Sequence, residues 1–366
     1  MHVTTAEKRP QPHAGGTVAP SAAMEIGTPI DETPATYQAR LLGMDQQSDM
    51  TREMGKMEAD ERILPLVTYL RSRPEVVIAR PTLGLTLYTA DPLFWAQRGA
   101  RALFERYCEI AGDQLRFFTT STHTGWRKFE VDDLPNLAHH LTLSAMSHRV
   151  RNLFEFRAAD TTAAATRSFT YRELDPERSD RTGYVQLLFE PDFDPDEVFQ
   201  LAIQIAQEFP IYSGLGGWTM SISRRFEREA FDRIHAQCKR FLALDAQRAD
   251  SMAYHTRAAL PGTSWLTLIG TPLCEHLELS GPELAAHPWK EQVAVMPLGA
   301  ATLIRAGERP TLGDVNLMQY PSAISEVAHR LAPYQANELP ILPGPFSVED
   351  TSARWRNRFV EPTEWM

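Results

Sequence analysis

The chain has 366 residues, 43% hydrophobic and 9% aromatic, enough apolar material for a sizeable core in one large domain or two small ones. Its net charge of −10, from 47 acidic and 37 basic residues, argues against a nucleic-acid binder, which needs a basic footprint on phosphate. The same balance suits a basic protein partner, because complementary charge speeds encounter.

The three cysteines, Cys108, Cys238 and Cys274, are far apart and form no C-x-x-C pair. Neither a disulfide framework nor a cysteine zinc site is expected, and the thiols read as small buried hydrophobes in a reducing compartment. No apolar run approaches the ~18 residues of a membrane span, and the start lacks the compact apolar core of a signal peptide. The expectation is a cytoplasmic protein.

Residues 1–60 are rich in Ala, Thr, Pro, Gly and Met and poor in large aliphatics, so they read as a disordered or loosely docked tail. Residues 61–366 read as the folded domain. Leu83 to Tyr88 alternates as a strand. Asp91 and Pro92 then open a helix as N-cap and first position, with Phe94, Trp95, Ala102, Leu103, Tyr107 and Ile110 on its apolar face. Strands are predicted at Leu115–Thr119, Leu153–Phe156, Ser168–Tyr171 and Tyr184–Phe189. Asp194 and Pro195 open a second helix, with Val198, Leu201, Ala202, Ile205 and Ala206 facing inward, and Gly217–Ile222 follows as a strand.

Residues 223–258 read as a charged helical region with an apolar stripe of Phe226, Phe231, Ile234, Cys238 and Phe241 and a solvated arginine face. Ser264–Ile269 reads as an apolar, central strand, followed by strands at Val293–Met296 and Ala301–Ile304. Helices are predicted at Tyr320–Leu331 and Asp350–Phe359. The mixture predicts an α+β fold, with an antiparallel or mixed sheet and helices packed on its faces. The repeated Asp-Pro openings suggest a duplicated β-α-β plan, with halves at about 75–222 and 223–360.

The acidic run Glu190, Asp192, Asp194, Asp196 and Glu197 is the most chemical-looking feature. Its spacing fails a calcium loop, because Glu197 stands where Gly is needed and Ile203 where Glu is needed. Helix capping by Asp194, a magnesium site and contact with a basic partner remain as readings. Gly214-Leu215-Gly216-Gly217-Trp218 lacks the Lys-Ser/Thr of a P-loop and reads as a turn entering a strand. The eleven histidines show no zinc-ligand spacing, and no serine elbow is present.

The last third carries Trp265-Leu266-Thr267-Leu268-Ile269-Gly270, Arg305-Ala306-Gly307-Glu308-Arg309-Pro310, Gly313-Asp314-Val315-Asn316 and Trp355-Arg356-Asn357-Arg358-Phe359. Together these motifs resemble the type VI secretion immunity family associated with VRR-Nuc effectors, over roughly residues 75–360. The resemblance implies a cytoplasmic, non-catalytic protein that binds a cognate effector toxin, expected to be a nuclease, and needs no cofactor or metal. It implies a fold-defining role for Trp265, Gly307, Gly313, Asp314, Asn316 and Trp355. Charge and position nominate Asp192, Asp196, Glu197 and an exposed Trp218 as partner contacts. A magnesium-dependent enzyme using residues 190–197 and an adaptor of the secretion apparatus stand as alternatives.

Overall fold

The structure is a computed structural model that describes residues 64–90, 99–121, 123, 125–147, 154–173, 181–336 and 339–366. All of these fall in one compact unit, Met54–Met366. The predicted tail, the Asp91-Pro92 helix opening with Phe94 and Trp95, and Leu153 lie outside the described residues.

Among the described residues eleven strands form one sheet: β1 (Thr68–Leu70), β2 (Arg73–Thr89), β3 (Phe117–Thr120), β4 (Arg127–Lys128), β5 (Glu155–Ala159), β6 (Ser168–Arg172), β7 (Gly183–Phe189), β8 (Ser213–Ile222), β9 (Leu266–Gly270), β10 (Val293–Pro297) and β11 (Ala301–Ala306). Their order is β10-β11-β9-β8-β2-β7-β6-β5-β3-β4, with β1 beside β2. Every pairing is antiparallel.

The helices among the described residues are α1 (Gly99–Ala111), α2 (Leu134–Ser147), α3 (Pro195–Glu208), α4 (Glu227–Arg240), α5 (Ala249–Met252), α6 (Thr271–His276), α7 (Gly281–Ala286), α8 (Ser322–Leu331), α9 (Thr351–Arg356) and α10 (Pro362–Trp365). The fold is α+β, as the mixture of elements predicts.

The alternation of β2 decides the layering. Leu83, Leu85 and Leu87 lie opposite Phe189, Leu187 and Val185 of β7, and the last two continue to Phe169 and Tyr171 of β6. These residues face one core, sealed by Leu103, Phe104 and Tyr107 of α1 and by Val198, Leu201 and Ile205 of α3. Each such side chain contributes about 1.5–3 kcal/mol when fully buried. The Tyr107 hydroxyl donates to the Leu188 carbonyl (2.7 Å), so its polar tip is satisfied.

A second core lies under α4, α8 and the C-terminal helices, with Ile78, Met220, Phe231, Ile304, Phe346 and Trp365 among its members. Between the two regimes, the other face of the central strands carries a polar cross-strand row. Arg157 stands opposite Thr170, Thr170 opposite Gln186, and Gln186 opposite Thr86. A strand whose second face is polar leaves that face wet.

Two predicted elements differ. Residues 214–218 lie inside β8 and are not a turn. A Cβ on Gly216 would meet Leu266 and Leu85 at 3.1 and 3.2 Å, so neighbouring leucines occupy the space a side chain would take. Within residues 223–258, α4 stops at Arg240; the chain then bridges Asp314 through Phe241 and Thr219 through Asp245 before α5. Strand–helix–strand units occur twice, as β2-α1-β3 and β7-α3-β8. In the sheet, β8 lies two places from β7, whereas β3 lies four places from β2.

Candidate functional site

The conspicuous C-terminal motifs build one end of the sheet. Trp265, immediately before β9, is 1% exposed, and its indole N–H donates to the Gly307 carbonyl (3.2 Å). Gly307 adopts φ +88°, which favours glycine, and its N–H donates to Gln292 (2.6 Å). The chain then wraps the sheet end. Leu242 and Ala243 donate to the carbonyls of Gly313 and Leu312 at 3.1 and 2.9 Å. Gly313 has φ +67°, and a Cβ there would lie 3.0 Å from Pro321.

Asp314 is buried and holds the next turn. Its Oδ1 accepts the Asn316 N–H (3.0 Å), and both of its oxygens receive the Arg240 guanidinium, the shortest contact being 2.7 Å. Its carbonyl accepts from Leu317 and Gln319 at 3.1 and 3.0 Å. The turn closes with Met318 at φ 54° and presents Leu317, Met318 and Tyr320 to solvent at 52%, 79% and 49% exposure. Three large apolar side chains are thus exposed along one short segment.

The acidic run divides by environment. Asp194 is the N-cap of α3, accepting the Asp196 N–H (3.0 Å), with Pro195 in the first turn. Glu190 accepts the Arg167 Nε–H (2.6 Å). Asp196 lies 3.7 Å from Arg309, and both are half-exposed. Asp192 and Glu197 are exposed. Among the described residues, no group of three or more His, Cys, Asp or Glu side chains gathers as a cation site.

The expected exposure of Trp218 is corrected. It is 8% exposed, belongs to the second core, and donates its indole N–H to the Pro310 carbonyl (3.3 Å). Packing of β8 against the chain at Pro310 buries it, so little of the ring reaches solvent. Trp355 is buried beneath the Arg358 guanidinium, 4.0 Å from its ring centroid.

A cleft of about 420 Å³ opens over the polar row of β5, β6 and β7. Four arginines line it, Arg157, Arg224, Arg225 and Arg248, against two carboxylates, Glu227 and Asp250. The Arg248 Nε–H donates to Asp250 (3.0 Å), and Arg248 also pairs with Glu227. Arg224 donates to Glu155 (2.9 Å) and to the Tyr184 hydroxyl (3.3 Å). Arg157 lies over Trp126, 5.1 Å from the ring centroid. Burial pushes Asp250 up, but the hydrogen bonds and charge of Arg248, with Arg224 behind, leave it net below the usual carboxylate range. Burial pushes Arg157 down, and neighbouring Arg224 adds to the effect. Sequence reasoning missed this cleft, because Arg224, Arg225 and Arg248 read there as a solvated face.

The family description "Type VI immunity for VRR-NUC" matches residues 101–359, including all four late motifs. The chain belongs to this immunity family. Among solved structures, a type VI secretion system protein of Pseudomonas aeruginosa, PA0821, superposes with a TM-score of 0.67 at 16% identity. The match covers 91% of this chain and 93% of that chain, and at this identity it speaks for the fold alone. No curated protein matches the chain. In this immunity protein Trp265 holds Gly307, and Leu242, Ala243 and Arg240 hold Leu312, Gly313 and Asp314, at the sheet end. No helix among the described residues is long and apolar enough to cross a membrane.

Proposed function

We propose that this protein is the cytoplasmic antidote to a VRR-Nuc effector of a type VI secretion system. It works by binding and not by turnover: it docks on the nuclease domain and blocks access to DNA. The family match over residues 101–359 carries the reading.

The surface chemistry supports occlusion. Nucleases present basic, metal-bearing clefts to their substrate, and an acidic protein both steers toward such a surface and imitates phosphate charge. The net charge of −10 provides the field. Exposed Asp192 and Glu197, with half-exposed Asp196, concentrate acid at the start of α3. Met318 and Tyr320, residue types enriched at interfaces, supply exposed apolar contacts, with Leu317 beside them. A stable interface of this type buries on the order of 1,600 Å².

Co-expression tests the reading. The toxin encoded beside this gene is expressed in a sensitive bacterium with and without this protein, and growth is scored. Restored growth is expected; arrest that this protein does not relieve contradicts the proposal.

A further inference from the structure

We infer that the arginine-lined cleft over β5, β6 and β7 is a docking site for a carboxylate-bearing segment of the protein partner. The inference rests on the immunity reading and adds a contact that complements the acidic start of α3.

Three observations carry it. First, the cleft keeps a positive excess: four arginines stand against the lining Glu227 and Asp250 and against Glu155, which pairs Arg157 and Arg224, in a chain of net charge −10. Second, the cleft is pre-organised. Arg224 is held by Glu155 and Tyr184, and Arg248 by Glu227 and Asp250, so the guanidinium planes stay fixed without a ligand. The Asp160 carboxylate accepts the Thr166 N–H (3.2 Å) and its hydroxyl, which closes the β5–β6 loop that forms the opposite wall. Third, Arg225 is exposed at the cleft and makes no ion pair among the described residues; its guanidinium rests 5.4 Å from the Phe226 ring centroid. The Arg225 fork is thus the one open to a carboxylate, which a guanidinium pairs bidentately.

The lining selects a polypeptide over a nucleic acid. One guanidinium without an ion pair among the described residues, Arg225, is too little for a row of phosphates, whereas a peptide supplies a single carboxylate for it together with backbone groups for Thr170 and Gln186 on the floor. The volume of about 420 Å³ suits a short protruding segment.

The test measures affinity of the full-length protein for the toxin encoded beside it, by biolayer interferometry. Arg225→Glu is expected to weaken binding about 30-fold or more and Arg225→Gln about 3- to 10-fold, following the loss or reversal of one charge-assisted pair. Gln186→Trp, which fills the floor, is expected to weaken it about 10-fold. Arg330→Glu makes the same charge change on exposed α8 and is expected to stay within about 3-fold of wild type. Unchanged melting curves confirm folding of each variant. Wild-type-like binding by both Arg225→Glu and Gln186→Trp overturns the cleft while leaving the immunity reading intact. Tighter binding by Arg225→Glu assigns the cleft a basic occupant and also overturns it. No binding by the wild type sinks the immunity reading, and this inference with it.

Discussion

Arg358 offers the sharpest test of how the C-terminal motif holds the fold. It is buried, donating through Nε to the Leu242 carbonyl (2.6 Å) and through Nη1 to the Trp355 carbonyl (2.9 Å). Its guanidinium lies 4.0 and 4.4 Å from the ring centroids of Trp355 and Phe359. Burial pushes it down to about 10, while the charge of Asp245 pulls it back up. Asp245 is raised by burial in turn, with Arg358 opposing the shift.

Arg358→Ala therefore removes two charge-assisted hydrogen bonds, the packing between two rings, and the nearby cation that favours the charged form of the partly buried Asp245. Charge-assisted bonds contribute about 1.5–3 kcal/mol each, so the loss of these two leads us to expect about 3–5 kcal/mol. At about 2–3 °C per kcal/mol for a chain of this size, the melting midpoint falls by roughly 6–15 °C. Circular dichroism melts of the full chain read this directly. Adding Asp245→Asn removes the carboxylate that has lost its cation and is expected to recover about 1 kcal/mol, a coupling visible only in the double variant. A melt within about 2 °C of wild type, or strict additivity of the two changes, would refute the assignment of Arg358 as a buried structural cation.

Glu173 predicts a pH dependence. Burial lifts its carboxyl from 4.5 to about 7, so the folded state keeps a proton that the unfolded chain releases. Stability contributed by that proton is full below about pH 4.5 and is lost as pH rises to about 7, by at most about 3 kcal/mol. Urea titrations across this range should show the fall, and Glu173→Gln should flatten it. Gly313→Ala forces φ +67° on a residue with a Cβ and sets that carbon 3.0 Å from Pro321, so a loss of about 2 kcal/mol is expected by thermal melt. An unchanged melt would mean that the loop relaxes freely. Reversing Asp192 and Glu197 to lysine should slow association with the effector by up to about 10-fold at low salt, with little change near 0.5 M salt, in stopped-flow or interferometry traces. A salt-independent effect would count against steering.

Much of the fold is legible in local chemistry. The Asp194-Pro195 opening specifies the start of α3 because cap and first-turn residues act within a few positions. The period-two pattern of Leu83, Leu85 and Leu87 identifies the buried face of β2 for the same reason. The glycines at 214, 216 and 217 mislead, since strand membership there is decided by leucines on neighbouring strands. Trp218 misleads likewise: its burial depends on the chain around Pro310, 92 residues away. The arginine cleft is invisible in one dimension because its lining comes from β5, the start of α4 and the start of α5, and each arginine taken singly looks solvated. The late motifs, by contrast, are recognisable because their glycines and Asp314 hold backbone geometry within short loops.

The most direct measurement of neutralisation by binding is DNA cleavage by the purified effector, titrated with this protein at concentrations well above the dissociation constant. The account predicts a linear loss of cleavage that reaches zero near one protein per effector, in step with complex formation. Undiminished cleavage at a clear molar excess, with the complex formed, would contradict it.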